Sequence, residues 1–170
     1  MYRRIDVFME IFRASWLKYL KTAVFLLCAA GCSVPVNSSE ETFSRLDGGE
    51  LTYAALTQGP RTVLFLWTTW CPHCRSALAA LDTRCAELDQ RVEYYFVNLG
   101  EAGEVVERYA ENKKFTPCTR ERIILDRRAA VAKRYRVVGI PTYVFLKDGD
   151  PVHKGYSLNA QVLQEVFENE

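Results

Sequence analysis

The chain has 170 residues, and its 22 basic and 21 acidic side chains leave a formal charge of +1. So balanced a charge is uninformative about partners overall, and nucleic acid is not the partner expected of a chain whose N-terminus reads as an export leader. Beyond a leader the chain is one domain's worth, long enough for a single buried core, and no internal repeat divides it.

The leader comes first. Thr22 to Gly31 form a short apolar core behind Lys18 and Lys21, ending in small residues before Cys32. That is the pattern of a signal peptide over residues 1–31. The core is shorter than the roughly 20 residues a spanning helix needs. Ala29-Ala30-Gly31-Cys32 resembles a bacterial lipobox, with Ala29 where leucine is usual. Lipidation of Cys32 is the expectation, with ordinary secretion or an uncleaved anchor as the alternatives. Met9 is an alternative start that would give a leader of ordinary length. Residues 32–41, with Pro35, Asn37, Ser38 and Ser39, have the composition of a flexible tether. The domain proper is expected over 42–170.

Within it, Val63–Trp67 is apolar, β-branched and aromatic behind Gly59-Pro60, and reads as a buried strand. A helix is expected over Arg75–Leu88, where Leu78, Leu81, Cys85 and Leu88 share one face. Then follow a strand (Val92–Asn98), a helix (Glu104–Asn112), a strand (Ile123–Leu125) and a helix (Ala129–Tyr135). The last elements are strands Thr142–Leu146 and Val152–Gly155, turned by Asp148-Gly149-Asp150, and a helix Ala160–Glu168. Alternation of this kind implies an α/β layered sheet.

Between the first strand and helix stands Trp70-Cys71-Pro72-His73-Cys74. Two cysteines separated by two residues at such a junction can exchange a dithiol for a disulfide. Pro72 fits the first helical turn, where its missing N–H costs nothing. Cys71 then lies at the helix N-terminus, whose orphan N–H groups and dipole favour its thiolate, so it is the expected nucleophile. Cys74, one turn further in, is the expected resolving thiol. His73 adds a potential positive charge, which would make the pair more oxidising. Half a zinc site is the competing reading, but no second Cys-x-x-Cys or His pair completes it. No metal or cofactor is expected.

Val138-Gly139-Ile140-Pro141-Thr142 opens a later apolar strand, and proline in that position fits a cis X-Pro bond. A strand ending in Trp-x-x-Trp-Cys-x-x-Cys, here Trp67 to Cys74, followed later by Gly-Ile-Pro-Thr, resembles the thioredoxin superfamily. Within it the chain is most similar to the membrane-attached TlpA/ResA group. Three stretches carry that likeness: the lead-in Phe43 to Thr57 with Leu46-Asp47-Gly48-Gly49-Glu50-Leu51, the strand end Phe96-Val97-Asn98-Leu99-Gly100-Glu101, and Ile124-Leu125-Asp126. The resemblance spans about residues 41 to 168. It implies a thioredoxin fold: a central mixed β-sheet flanked by helices, with an N-terminal extension and a TlpA-like insertion. It also implies that Trp70, Ile140 and Pro141 contact the client peptide. Two acids of the wider family do not carry over. Phe65 stands where thioredoxins have a buried acid, and Ala77 where ResA-like proteins have a glutamate.

Of the six cysteines, Cys28 leaves with the signal and Cys32 is assigned to lipid. Cys71 and Cys74 form the redox pair, which leaves Cys85 and Cys118. Either they form a structural bridge, or Cys85 is a small buried hydrophobe and Cys118 a thiol in the loop before Ile123. The basic residues between Lys113 and Arg136 either dock an acidic partner or headgroups, or are simply a solvated face. His153 reads as an exposed strand residue.

Three functional classes follow. The first is a TlpA-like reductase of cysteines in exported proteins, apocytochrome c among the candidate clients, recharged by a membrane thiol donor. The second is an oxidase or isomerase of the DsbA type, which the Pro-His dipeptide resembles. The third is a copper carrier using the same cysteines. The leader, and not these classes, sets the expected compartment: exported and lipid-anchored to a bacterial membrane, facing the periplasm or the cell exterior.

Overall fold

The computed structural model describes residues 41–88 and 92–168. Seven strands form one sheet in the order β2-β1-β5-β4-β3-β6-β7. These are β1 (Thr42–Arg45), β2 (Glu50–Thr52), β3 (Arg61–Trp67), β4 (Glu93–Leu99), β5 (Ile123–Asp126), β6 (Thr142–Lys147) and β7 (Asp150–Gly155). The helices are α1 (Tyr53–Thr57), α2 (Pro72–Asp82), α3 (Cys85–Leu88), α4 (Gly103–Lys113), α5 (Pro117–Glu121), α6 (Ala130–Arg134) and α7 (Ala160–Phe167). β3, β4 and β5 run parallel, while β6, β7, β1 and β2 join antiparallel. The sheet is therefore mixed, as expected.

Side-chain alternation splits the core into two layers. Val63, Phe65 and Trp67 of β3 face one side, with Phe96, Ile123 and Phe145, beneath α2, α4 and α7. Leu64 and Leu66 face the other, with Val97, Ile124 and Val144, beneath Leu56 of α1 and Val131 of α6. A strand covered on both faces reads as an unbroken apolar run, which is how β3 reads. The edges are blunted: β2 has three residues, and β7 carries Pro151, tolerated on an outer strand.

Several expected boundaries change. The expected helix Arg75–Leu88 is two helices, because Thr83 and Arg84 interrupt it. The Thr83 hydroxyl donates to the Ala80 carbonyl at 2.9 Å, and Asp82 accepts from the Thr116 N–H and hydroxyl at 2.9 and 2.8 Å. Cys118 lies in the single-turn α5, capped by the Thr116 hydroxyl, and not in a loop. The lead-in forms β1, β2 and α1, the last capped by the Thr52 hydroxyl. The final hairpin turns on Asp148 and Gly149 alone, both at positive φ, so Asp150 already pairs with Lys147. That is the two-residue turn whose twist suits the flanking strands. Among the described residues no helix is long and apolar enough to cross a membrane.

Candidate active site

The junction after β3 builds the site. Thr68, Thr69 and Trp70 carry the chain from Trp67 to Cys71, which adopts extended backbone (φ −80°, ψ 114°) as the N-cap of α2. Pro72 occupies the first helical position, as expected. The Cys71 sulfur accepts from the Cys74 N–H at 3.3 Å, taking the role that a serine or aspartate oxygen usually plays at a helix start. Cys74, Leu78 and Leu81 are the buried face of α2. Cys71 keeps 5% of its surface exposed and Cys74 none, and both are free thiols. The outer sulfur is thus the more accessible of the two.

Topology brings the second loop to the first. β6 runs antiparallel to β3 and pairs Thr142 with Leu66, so the start of β6 lies at the end of β3. The Ile140–Pro141 bond is cis. The Cys71 thiol points at the Ile140 carbonyl oxygen, 3.9 Å away. Ile140 and Pro141 are half-buried, and the Thr142 hydroxyl closes the turn on the Gly139 carbonyl at 2.6 Å. Two large apolar side chains stand out at this end: Trp70 is 68% exposed and Val138 96%. His73, at the second helical position, is exposed.

Burial dominates the electrostatics. It pushes the Cys74 thiol up to about 12; the hydrogen bond with Cys71 and that neighbour's charge act in the same direction, and the Thr68 backbone acts against them. Tyr143 is likewise pushed up to about 12, by burial and then by the Cys74 charge. Burial raises Tyr109 too, and Arg75 partly offsets it. Phe65 is 1% exposed and stacks on Tyr143 with ring centroids 4.8 Å apart, so aromatic surface fills the place of the missing acid.

One site residue escaped the sequence reading. Glu101 accepts from the Thr69 N–H at 2.7 Å, the Thr69 hydroxyl at 2.6 Å and the Asn98 amide at 2.7 Å. It was legible only as part of the strand end after β4. What brings it to the loop is the parallel pairing of β3 and β4, which sets Asn98 beside Trp67.

Cys85 and Cys118 form a disulfide with their Cα atoms 6.0 Å apart, tying α3 to α5. Cys32 and the expected leader lie outside the described residues, as does the tether except for Glu41. The basic residues do not form one free face. Arg120 pairs with Glu107, Arg134 with Glu41, and Arg122 lies over the Tyr94 ring, while Arg127, Arg128, Lys133 and Arg136 are exposed. His153 is exposed on β7, its ring centroid 5.2 Å from that of Phe145.

The AhpC/TSA family model matches residues 33–153, and the chain belongs to that family. A curated relative, sporulation thiol-disulfide oxidoreductase A of Bacillus subtilis, is 29% identical over 57% of this chain and 59% of its own length. The chain thus spans about three fifths of that relative. Among solved structures, StoA from Bacillus subtilis is similar with a TM-score of 0.58 at 23% identity, covering 79% of this chain and 100% of that one. The exposed lipoprotein thioredoxin Etrx1 of Streptococcus pneumoniae gives 0.59 at 19% identity, covering 74% and 98%. The fold is thioredoxin-like.

Proposed function

We propose that this chain is a thiol–disulfide oxidoreductase acting on cysteines of exported proteins through Cys71 and Cys74, and that it works as a TlpA-like reductase. One observation carries the reading: the Cys71 sulfur caps α2, within reach of the Cys74 N–H, and faces the loop before Pro141. The name of the Bacillus subtilis relative supports the same class of chemistry.

The exchange has two steps. The Cys71 thiolate attacks one sulfur of a client disulfide and expels the other as a thiolate. A mixed disulfide joins Cys71 to the client. Cys74 gives up its proton and attacks the Cys71 sulfur, expelling the second client thiolate. The client ends as a dithiol and the protein as the Cys71–Cys74 disulfide, which a membrane thiol donor reduces again. An oxidase runs the same steps backwards.

The lipobox-like Ala29 to Cys32 supports anchoring by lipid at Cys32, with the domain outside the cytoplasm. Mass spectrometry of the mature N-terminus tests this: a diacylglyceryl group on Cys32 is expected, and an intact residue 1–31 segment contradicts it. For the chemistry, Cys74→Ser is expected to accumulate a mixed disulfide with oxidised glutathione and Cys71→Ser is not. Equal accumulation in both variants, or in neither, contradicts the assignment.

A further inference from the structure

The segment between β3 and α2 is short, yet it fixes where Cys71 sits. Glu101 grips it. Its Oε2 accepts from the Thr69 N–H and from the Asn98 Nδ2, each at 2.7 Å, and its Oε1 accepts from the Thr69 hydroxyl at 2.6 Å. These are the short distances of charge-assisted hydrogen bonds. Asn98 is 1% exposed and belongs to β4, so the carboxylate is held by the sheet at one side and holds the loop at the other. Gly100 makes that return possible. Its φ of +73° is the left-handed region, and a Cβ there would meet nothing, so the backbone conformation itself is what favours glycine.

We infer that Glu101 is a positioning residue for thiol–disulfide exchange, anchoring Thr69 so that Cys71 and Cys74 keep the geometry in which one sulfur attacks the other. The inference rests on the exchange reading above. Thr69 lies two residues before Cys71, whose sulfur contacts the Cys74 N–H at 3.3 Å. Thr68, the next residue back, presents its backbone to the Cys74 thiol and favours its ionisation. Releasing Thr69 therefore loosens the surroundings of both sulfurs, and intramolecular attack is sensitive to displacements of about 1 Å.

Two substitutions separate position from charge. In Glu101→Gln the amide oxygen can take the place of Oε2 and accept both N–H groups, while the NH₂ donates to the Thr69 hydroxyl, which can accept. The tie survives without the charge. Glu101→Ala removes all three acceptor contacts. Thr69→Val removes only the hydroxyl contact and keeps the N–H.

The test follows the reduced full-length protein mixed with oxidised glutathione. Cys71 attack releases one glutathione thiolate and leaves the other glutathione on Cys71, and Cys74 attack then releases it with formation of the Cys71–Cys74 disulfide. Rapid acid quench and mass spectrometry time both steps. Glu101→Ala is expected to slow the second release about tenfold or more, Glu101→Gln to stay within about threefold of wild type, and Thr69→Val to slow it about threefold. The thermal midpoint, read in parallel, ensures that rates are compared on folded protein. If Glu101→Ala does not fold, Thr69→Val at the wild-type rate overturns the inference. Glu101→Ala at the wild-type rate overturns it, as does a Glu101→Gln as slow as the alanine variant. Wild-type protein that neither carries glutathione nor forms the Cys71–Cys74 disulfide overturns the exchange reading instead.

Discussion

The Cys71 sulfur faces the Ile140 carbonyl oxygen at 3.9 Å, although the residues stand 69 positions apart in the chain. Antiparallel pairing of β6 with β3 makes this meeting inevitable, because the strand that begins after Pro141 must begin where β3 ends. The approach to the sulfur is thus bordered by Trp70, its neighbour in the chain, and by the loop carrying Val138.

That border predicts a split in kinetics. Exposed apolar surface beside a reactive sulfur recognises a polypeptide and has little to offer a small polar disulfide. Trp70→Ala and Val138→Ser are expected to raise KM for a cysteine-bridged peptide by about three- to tenfold, with kcat for oxidised glutathione nearly unchanged. Steady-state kinetics with the two substrates decides. Equal losses on both would mean that the loops themselves had moved.

Burial of Cys74 gives the reduced protein a pH signature. Its thiol is pushed up to about 12 in the folded chain, against roughly 8.5 unfolded. Between those values the unfolded chain has lost a proton that the folded chain keeps, so the stabilisation is complete below about pH 8.5 and is lost as pH rises towards 12. Urea unfolding at pH 8 and pH 10.5 should show the reduced wild type losing more stability than reduced Cys74→Ser. Equal losses would show that Cys74 ionises in the fold as readily as in water.

The Cys85–Cys118 bridge closes a loop across a sequence separation of 33. Replacing both cysteines by alanine is expected to cost about 3–4 kcal/mol, chiefly through the freer unfolded chain. Denaturant unfolding measures it, with exchange at Cys71 and Cys74 retained. Loss of exchange in a folded variant would instead couple the bridge to the redox pair.

Asp126 is buried at the end of β5 and accepts from the Ala130 and Val131 N–H groups at 2.8 and 2.9 Å. Asp126→Ala strands those donors at the start of α6, a loss of about 1–3 kcal/mol. Asp126→Asn, which keeps one acceptor oxygen, should lose less. Identical stabilities for the two variants would contradict this role.

Local pattern carried much of this architecture. An unbroken apolar run marks β3, and Pro72 behind Cys71 marks the start of α2, because both signals lie within a few residues. The break after Asp82 was not legible, since Leu78, Leu81, Cys85 and Leu88 keep helical spacing straight through it. Its causes are the Thr83 hydroxyl and the ties of Asp82 to Thr116 and Cys85 to Cys118, two of which are tertiary. β1 and β2 are too short to show alternation on their own, and gain their place by pairing with each other and with β5. Glu101 belongs to no motif of its own. Only the register that sets Asn98 beside Trp67 reveals what it holds.

The reduction potential of the Cys71–Cys74 couple tests the central claim most directly. Equilibration in glutathione buffers of graded ratio, followed by counting free thiols, measures it. The account predicts a reversible two-electron transition between about −270 and −120 mV, the span from thioredoxin to DsbA. The reductase reading places it towards the lower end of that span. Cysteines that fail to interconvert with glutathione at any ratio would contradict a thiol–disulfide function for this pair.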